Sequence, residues 1–244
     1  MNPLYIGTAG WSIPAQHAKL FAEDGSHLQR YASRLPAVEI NSSFYRSHRP
    51  ATYARWAASV PPGFRFSIKV PREITHLRRL DDVAAPLARF LDETKELGAT
   101  LGPLLVQLPP SLRFDATVAE RFFDDFRQRF DGKLACEPRH ESWFTDAAEA
   151  LLVSHFVARV AADPPVVPQA ASAGAWQGLR YIRLHGSPRI YYSSYASETI
   201  AAVAQSLCDV AEPGEERWCI FDNTALGAAT EQALDLSRRV QTER

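Results

Sequence analysis

The sequence predicts an α/β fold, a single TIM-type (β/α)8 barrel. Apolar, strand-like segments recur at roughly 20 to 40 residue intervals, the spacing of βα units. Most of these segments end in polar residues that share one face. The length of 244 residues is close to the roughly 250 residues typical of this fold. We therefore expect residues 1–244 to form one barrel domain.

The eight predicted strands alternate with helical patterns along the chain. The strands are predicted at 4–9, 37–41, 64–70, 104–108, 133–137, 155–163, 180–185 and 218–222. The helices are predicted at 80–97, 117–130, 147–152, 200–211 and 228–240. Residues 164–178, in the sixth gap, are rich in Pro, Ala, Ser and Gly, so we expect the barrel to be irregular there.

The composition excludes several classes of protein. The formal net charge is −1, which argues against a protein that coats nucleic acid through its overall charge. Its 3 cysteines lack CxxC spacing and so indicate neither a disulfide framework nor a zinc module. The N-terminus does not resemble a signal peptide, and no apolar run approaches the roughly 20 residues of a membrane span. We expect a cytoplasmic protein without a membrane partner.

Period-two alternation separates the two faces of each predicted strand. In the third strand, Phe66 and Ile68 share the apolar parity, which leaves Ser67 and Lys69 for the barrel interior. Parallel strands end at one mouth of a barrel, where barrel enzymes hold their catalytic groups. The polar residues assigned to this mouth are Glu39, Asn41, Lys69, Gln107, Glu137, Arg139, Asp163, Arg183, His185 and Asn223.

Charged residues at such a mouth are expected to pair, because an unpaired buried charge is costly. The expected pairs join Glu39, Glu137 and Asp163 to Lys69, Arg139 and Arg183. Buried ion pairs contribute little net stability compared with apolar replacements, so a purely structural role for the whole set is not favoured.

Three of these residues are catalytic candidates. Lys69, desolvated beside other cations, would serve as a base or a Schiff-base nucleophile, although we favour a cation that neutralises Glu39 or an anionic substrate. His185 either moves a proton to a group held by Arg183 or is a satisfied histidine of the barrel wall. Glu137 is a reasonable general base.

The loops at the mouth add binding candidates. Residues 69–79 include five side chains that can carry positive charge and one acid, which suits anion capture. Arg139 can grip a carboxylate or phosphate with two hydrogen bonds, and aromatic side chains can stack on a sugar or base. The complete set of substrate-binding candidates is Glu39, Asn41, Tyr45, His76, Gln107, Arg139, His140, Trp143, Asp163, Arg183 and Asn223.

Motifs along nearly the whole chain resemble one known family. They lie at residues 7–11, 39–45, 69, 75–76, 107–109, 137–143, 183–186 and 221–224. In this order they are similar to the YecE-like family, domain of unknown function 72, with E-x-N-x-x-F-Y and R-H-x-S-W as its specific elements. The resemblance implies a β/α barrel and implies no particular reaction. Asp222 departs from the family's usual pair of asparagines.

Three hypotheses of function follow from these residues. The leading one is an enzyme that acts on a small anionic metabolite, phosphorylated ones included. Isomerase, lyase and hydrolase chemistry all suit it. In this hypothesis Arg139, Arg183 and Lys69 hold the anion, while Glu137 and His185 exchange protons. No cofactor is predicted, and the oligomeric state is not assigned.

The second hypothesis is a divalent-metal-dependent isomerase or nuclease that resembles the endonuclease IV and sugar isomerase barrels. Its oxygen and imidazole ligands would be Glu39, Glu137, Asp163 and His185. It is not favoured, because three strand-borne cations would repel the metal. The third hypothesis is a non-catalytic nucleotide or nucleic-acid binding module, which the near-neutral charge makes the weakest.

Overall fold

The computed structural model describes residues 2–210 and 212–243 and confirms the barrel. Its strands are β1 (Leu4–Ala9), β2 (Ala37–Ile40), β3 (Arg65–Lys69), β4 (Leu101–Gln107), β5 (Leu134–Glu137), β6 (Val157–Arg159), β7 (Ala161–Asp163), β8 (Gly174–Ala175), β9 (Leu179–Leu184) and β10 (Glu216–Phe221). The sheet has the order β7-β9-β10-β1-β2-β3-β4-β5-β6-β8, and all its ladders are parallel except that of β6 with β8.

The sixth βα unit is irregular, as the sequence predicts. The predicted strand 155–163 is divided at Val160 into β6, which pairs with β5, and β7, which pairs with β9. The Val160 backbone N–H still donates to the Cys136 carbonyl at 2.9 Å. This divided strand therefore bridges the two halves of the sheet, and the barrel is nearly closed.

The helices cover the outside of the barrel. They are α1 (His27–Ala32), α2 (Ser42–Tyr45), α3 (Pro50–Ala58), α4 (Ala84–Thr94), α5 (Ala116–Arg127), α6 (Asp146–Ser154), α7 (Ser197–Cys208) and α8 (Ala228–Glu243). The predicted helix 80–97 begins later than expected, because Leu80 and Asp82 have left-handed φ angles of 70° and 48°. The predicted end of α7, position 211, lies outside the described residues.

The lower barrel interior is filled by stacked aromatic rings. Trp218 of β10 stacks on Tyr181 of β9 with ring centroids 5.9 Å apart. A Cβ at Gly102 would lie 2.6 Å from the Trp218 ring, so this position requires glycine. Both rings are fully buried. These rings therefore close the barrel interior below the polar groups.

The parity predictions hold for the second to fifth strands and for the seventh. They are wrong for the sixth, where Asp163 shares the parity of Arg159. Arg159 points outward to Glu149, with Nε and Oε2 2.9 Å apart. They are also wrong for the eighth, where Asp222 rather than Asn223 continues the inward parity of Trp218.

Candidate functional site

A buried arginine at the end of β9 organises the mouth of the barrel. Arg183 is fully buried, and its guanidinium makes a two-point ion pair with Glu39 of β2. The distances are 2.6 Å from Nη2 to Oε1 and 3.0 Å from Nε to Oε2. The Tyr181 hydroxyl lies 2.9 Å from Glu39 Oε2. The sequence expectation that Lys69 pairs with Glu39 is therefore wrong.

Glu137, at the end of β5, contacts Arg183 and three further side chains. Its Oε2 accepts from Arg183 Nη1 at 2.6 Å and from Gln107 Nε2 at 3.1 Å. Its Oε1 accepts from Arg139 Nε at 2.6 Å and lies 2.9 Å from His185 Nε2. The expected pairing of Glu137 with Arg139 is confirmed, and Gln107 acts as a positioning group for the carboxylate.

Asp222, directly after β10, completes the arrangement. Its Oδ2 lies 3.2 Å from Arg183 Nη2 and 2.9 Å from His185 Nδ1. Its Oδ1 accepts from Asn41 Nδ2 at 3.4 Å. We call Arg183, Glu39, Glu137, Asp222 and His185 the Arg183 cluster. Its five members come from β2, β5, β9 and β10 or from the residues that follow them.

The charges of the cluster fix the ionisation of its carboxylates. Burial alone would raise the pKa of Glu137, but Arg183, His185 and Arg139 hold it well below its ordinary value. Burial also opposes ionisation of Asp222, yet Arg183 and His185 lower the pKa of this carboxyl. An ionised Glu137 that is already fully hydrogen-bonded is a weak general base, so its predicted role as proton acceptor stays a prediction without geometric support.

His185 sits between two carboxylates and an arginine. A protonated ring donates to Asp222 from Nδ1 and to Glu137 from Nε2. A neutral ring with its proton on Nδ1 instead accepts from Arg139 Nη2, which lies 3.0 Å from Nε2. His185 is therefore bonded at both ring nitrogens within the Arg183 cluster.

Lys69 ends β3 at the same mouth but takes no part in these ion pairs. Lys69 is 8% exposed, and its Nζ lies 4.2 Å above the centre of the Phe44 ring. Among the described residues, no carboxylate oxygen lies within 4.0 Å of Nζ. Burial, reinforced by Arg183, lowers the pKa of Lys69 to about 8, although Glu39, Asp222 and Glu137 act in the opposite direction.

The loop after β3 carries His76, whose pKa is affected by the charge of Lys69. Residues Glu73–Leu77 form a short π-helix, and the Phe44 ring contacts His76 edge-on with centroids 4.9 Å apart. Burial and the positive charges of Lys69, Arg72 and Arg139 lower the pKa of His76 to about 4. Three cations thus act on one neutral imidazole, which marks a positive region at the mouth.

Other predicted binding residues lie apart from the Arg183 cluster. Tyr45 is 72% exposed on α2. His140 caps the short helix Glu141–Trp143 by accepting from the Ser142 N–H at 3.1 Å. Trp143 is only 1% exposed and donates to the Leu112 carbonyl at 3.0 Å, so its predicted position as a stacking surface is wrong.

Asp163 and Asn223 do not point into the barrel mouth, where the sequence predicts them. Asp163 accepts at its backbone carbonyl from the His185 N–H at 2.8 Å, while its side chain points away from the cluster. Asn223 donates to the Ser193 carbonyl and to Gln232 Oε1, at 2.9 and 2.8 Å. Both residues support the loops around the mouth rather than line it.

The metal hypothesis requires free ligands, and the named ones are engaged. Glu39 and Glu137 accept hydrogen bonds from Arg183. Asp163 lies on the outer face of the barrel. In residues 2–210 and 212–243, no group of three or more His, Cys, Asp or Glu side chains is placed to hold a metal ion. Two of the ligands proposed from the sequence, Glu39 and Glu137, are thus bonded to Arg183 in this structure, and the metal hypothesis stays a prediction. No helix of the described chain is long and apolar enough to span a membrane.

Comparisons with known proteins agree with this fold. UPF0759 protein YecE of Escherichia coli K12 is 29% identical over 150 residues, which cover 60% of this chain and 52% of YecE. UPF0759 protein YunF of Bacillus subtilis 168 is 26% identical over 158 residues, which cover 58% of this chain and 52% of YunF. The chain thus spans about half the length of the curated relatives it matches.

A solved structure and a family model extend the match to the whole chain. The crystal structure of a DUF72 family protein from Thermotoga maritima superposes with a TM-score of 0.80 at 22% identity, covering 98% of this chain and all of that one. Residues 5–244 match the family described as protein of unknown function DUF72. The resemblance predicted from the motifs is confirmed, and the chain belongs to the DUF72 family.

Proposed function

We propose that this protein is an enzyme that binds a small anionic metabolite at the mouth of the barrel and exchanges protons with it through Lys69 and His185. The observation that carries the proposal is Lys69, a largely buried amine at the end of an inner strand, with no carboxylate partner among the described residues. A structural lysine in such a position would be expected to pair.

The anion is held by the positive region around His76. Arg72 makes no ion pair among the described residues, and Arg139 uses Nε for Glu137 while its side chain keeps 15% of its area exposed. Arg183 itself is fully buried and engages Glu39, Glu137 and Asp222. We therefore assign it a positioning role in this proposal, in place of the anion-binding role predicted from the sequence.

Proton exchange is supported by two groups whose surroundings suit it. The pKa of Lys69 is lowered to about 8, so about a tenth of the amine is uncharged at pH 7. His185 has alternative hydrogen-bond partners for its charged and neutral forms. A general base tuned toward neutral pH is a feature of active sites. The reaction itself, isomerase, lyase or hydrolase, is left open by this geometry.

Ligand-induced thermal stabilisation tests the proposal. The panel contains inorganic phosphate, sugar phosphates, small carboxylates, nucleotides and short single-stranded DNA. A ligand at a hundred times its Kd adds about 2.7 kcal/mol, which corresponds to roughly 5–10 °C in a domain of this size. We expect small anions to stabilise the protein, and Lys69→Met and Arg139→Gln to weaken that effect.

Lys95→Met is the matched control, because Lys95 is an exposed lysine paired with Asp92 on the outer surface. It should respond to ligands as the wild type does. Stabilisation by single-stranded DNA alone, lost steeply with salt, would support the nucleic-acid module instead. If every small anion leaves the midpoint unchanged, the proposed function is wrong.

A further inference from the structure

We propose that Lys69 condenses with the carbonyl group of a small anionic aldehyde or ketone, forming an imine at the mouth of the barrel. This inference rests on the proposed function, since it names the chemical class of the anionic substrate and the bond that Lys69 makes with it. It replaces the simpler interpretation, in which the lysine is only a cation that attracts an anion.

The position of the amine supports a nucleophile more than a counter-ion. Lys69 Nζ lies against the face of Phe44 at 4.2 Å and has no carboxylate oxygen of the described residues within 4.0 Å. The carboxylates that the barrel brings to this end, Glu39, Glu137 and Asp222, are bonded to Arg183. The amine is thus left unpaired although three acids are near enough to act on it electrostatically.

Imine formation requires an uncharged amine, which this environment supplies. The charged groups that act on Lys69 are Arg183 from β9, Glu39 from β2, Glu137 from β5 and Asp222 after β10; His76, on the loop after β3, faces it as a neutral ring. Burial and Arg183 outweigh the acids and bring the pKa to about 8. About a tenth of the amine is therefore uncharged at pH 7, against less than about a thousandth for an ordinary lysine.

The positive charges that act on His76 suit the anionic part of the substrate. Arg72 and Arg139 act with Lys69 on the His76 ring, which stays neutral because its pKa falls to about 4. When Lys69 becomes an imine, these two arginines keep their charge, since guanidinium groups do not lose protons in proteins. A carboxylate or phosphate on the carbonyl compound would therefore be held next to the carbon that Lys69 attacks.

The reaction balances without a redox partner. The Lys69 nitrogen adds its electron pair to the carbonyl carbon, and the carbonyl oxygen takes up a proton to give a carbinolamine. The carbon–oxygen bond then breaks and the oxygen leaves as water, so the nitrogen becomes doubly bonded to carbon. The nitrogen releases a proton as the carbonyl oxygen gains one, so the protons balance between the amine, the departing water and solvent at the mouth.

Reductive trapping tests the proposal directly, because the chain contains only four lysines, Lys19, Lys69, Lys95 and Lys133. Wild-type protein is incubated at pH 7 with glyoxylate or with pyruvate and sodium cyanoborohydride, whose hydride reduces an imine to a stable secondary amine. Peptide mapping by mass spectrometry then assigns the added carboxymethyl or carboxyethyl group. We expect Lys69 to be labelled about 10-fold or more above each of the other lysines.

Lys69→Arg is the matched variant, since it keeps a positive charge but forms no stable imine with these compounds. Loss of labelling at position 69 in this variant, with the three other lysines labelled as in the wild type, supports the assignment. Labelling spread evenly over the four lysines, or confined to the exposed ones, overturns the imine.

Binding of L-lactate, which carries the carboxylate without the carbonyl, and of inorganic phosphate is measured in parallel by thermal shift. If these anions stabilise the wild type and Lys69 is not labelled, the imine is wrong and the anion-binding enzyme stands. If neither anion stabilises the protein and no label appears, both proposals are wrong. A label at Lys69 that excess lactate suppresses supports both.

Discussion

Replacing Lys69 by methionine is expected to raise the free energy of unfolding at pH 7. Burial disfavours the ammonium form strongly enough to move the pKa from its ordinary 10.5 to about 8. A change of this size corresponds to roughly 3 kcal/mol of lost stability in the protonated state. Methionine removes the charge, packs on Phe44 with similar length, and leaves no buried acid without its Arg183 partner.

The sign of this effect reverses the usual expectation for a charged residue in a polar site. Lys69 has a lower pKa in the folded state than in the unfolded state, so the folded protein binds the proton less tightly. Below pH 8 the free energy of unfolding of the wild type is therefore lower than that of Lys69→Met by the full amount. As the pH rises from 8 toward 10.5, only the unfolded state still gains from protonation, and the disadvantage shrinks.

Urea denaturation at two pH values measures both features. We expect Lys69→Met to exceed the wild type by up to about 3 kcal/mol at pH 7 and by about 1.4 kcal/mol at pH 9.5. Lys95→Met, on the exposed outer surface, should leave the midpoint where it is in the wild type at both values. A Lys69→Met protein that is less stable than the wild type at pH 7 would refute the reasoning, because Lys69 would then be a stabilising counter-ion of the acids.

Three further predictions concern the Arg183 cluster. Arg183→Gln should lower the free energy of unfolding in urea by about 3–5 kcal/mol, because it leaves Glu39 and Asp222 as buried, uncompensated charges. A loss below about 1 kcal/mol would contradict the described ion pairing of the Arg183 cluster. Tyr181→Phe should cost about 1–3 kcal/mol by the same assay, since Glu39 loses a buried hydrogen-bond donor. Glu137 and Asp222 have lower pKa values in the folded than in the unfolded state, so their ionised forms stabilise the fold above the ordinary carboxyl range. The free energy of unfolding should therefore fall as the pH drops below about 4. This pH dependence should be shallower in Asp222→Asn.

Much of the barrel could be predicted from the sequence because its strands are short, regularly spaced and separated by helical patterns. The parity of β3 was clear, since Phe66 and Ile68 are apolar while Ser67 and Lys69 are polar. From Trp218 to Phe221 in β10 both parities are apolar, so nothing in that part of the pattern distinguishes the interior. The packing of Trp218 on Tyr181, and the contacts of Asp222 with Arg183 and His185, show that Asp222 points inward.

Other features depend on contacts that a sequence pattern does not encode. Asp163 was assigned inward because it is the polar end of a strand, but Arg159 on the same parity faces Glu149 on α6. The helices α1 and α3 were not predicted, although Ser26 and Gln29 form a capping box at α1 and Pro50 begins α3. These were the signals that could have found them.

The Arg183 cluster explains why an amine beside three acids is not simply their counter-ion. Asp222 is among the carboxylates that raise the pKa of Lys69, while Arg183 lowers it. By holding all three acids, Arg183 keeps them from direct contact with Nζ. A buried ion cluster of this kind contributes little net stability compared with apolar residues. Its charges act on Lys69 in both directions, in addition to the larger effect of burial.

Removing one acid from this balance should therefore lower the pKa of Lys69 below that of the wild type. Asp222→Asn retains a side chain of the same size that can still bond His185. Incorporation of ¹³C-labelled lysine gives four Cε signals, of which we expect one to titrate near pH 8 and to disappear in Lys69→Arg. In Asp222→Asn that signal should titrate at lower pH. A shift to higher pH, or no shift, would show that the acids of the cluster do not reach Lys69 and that burial alone sets its charge.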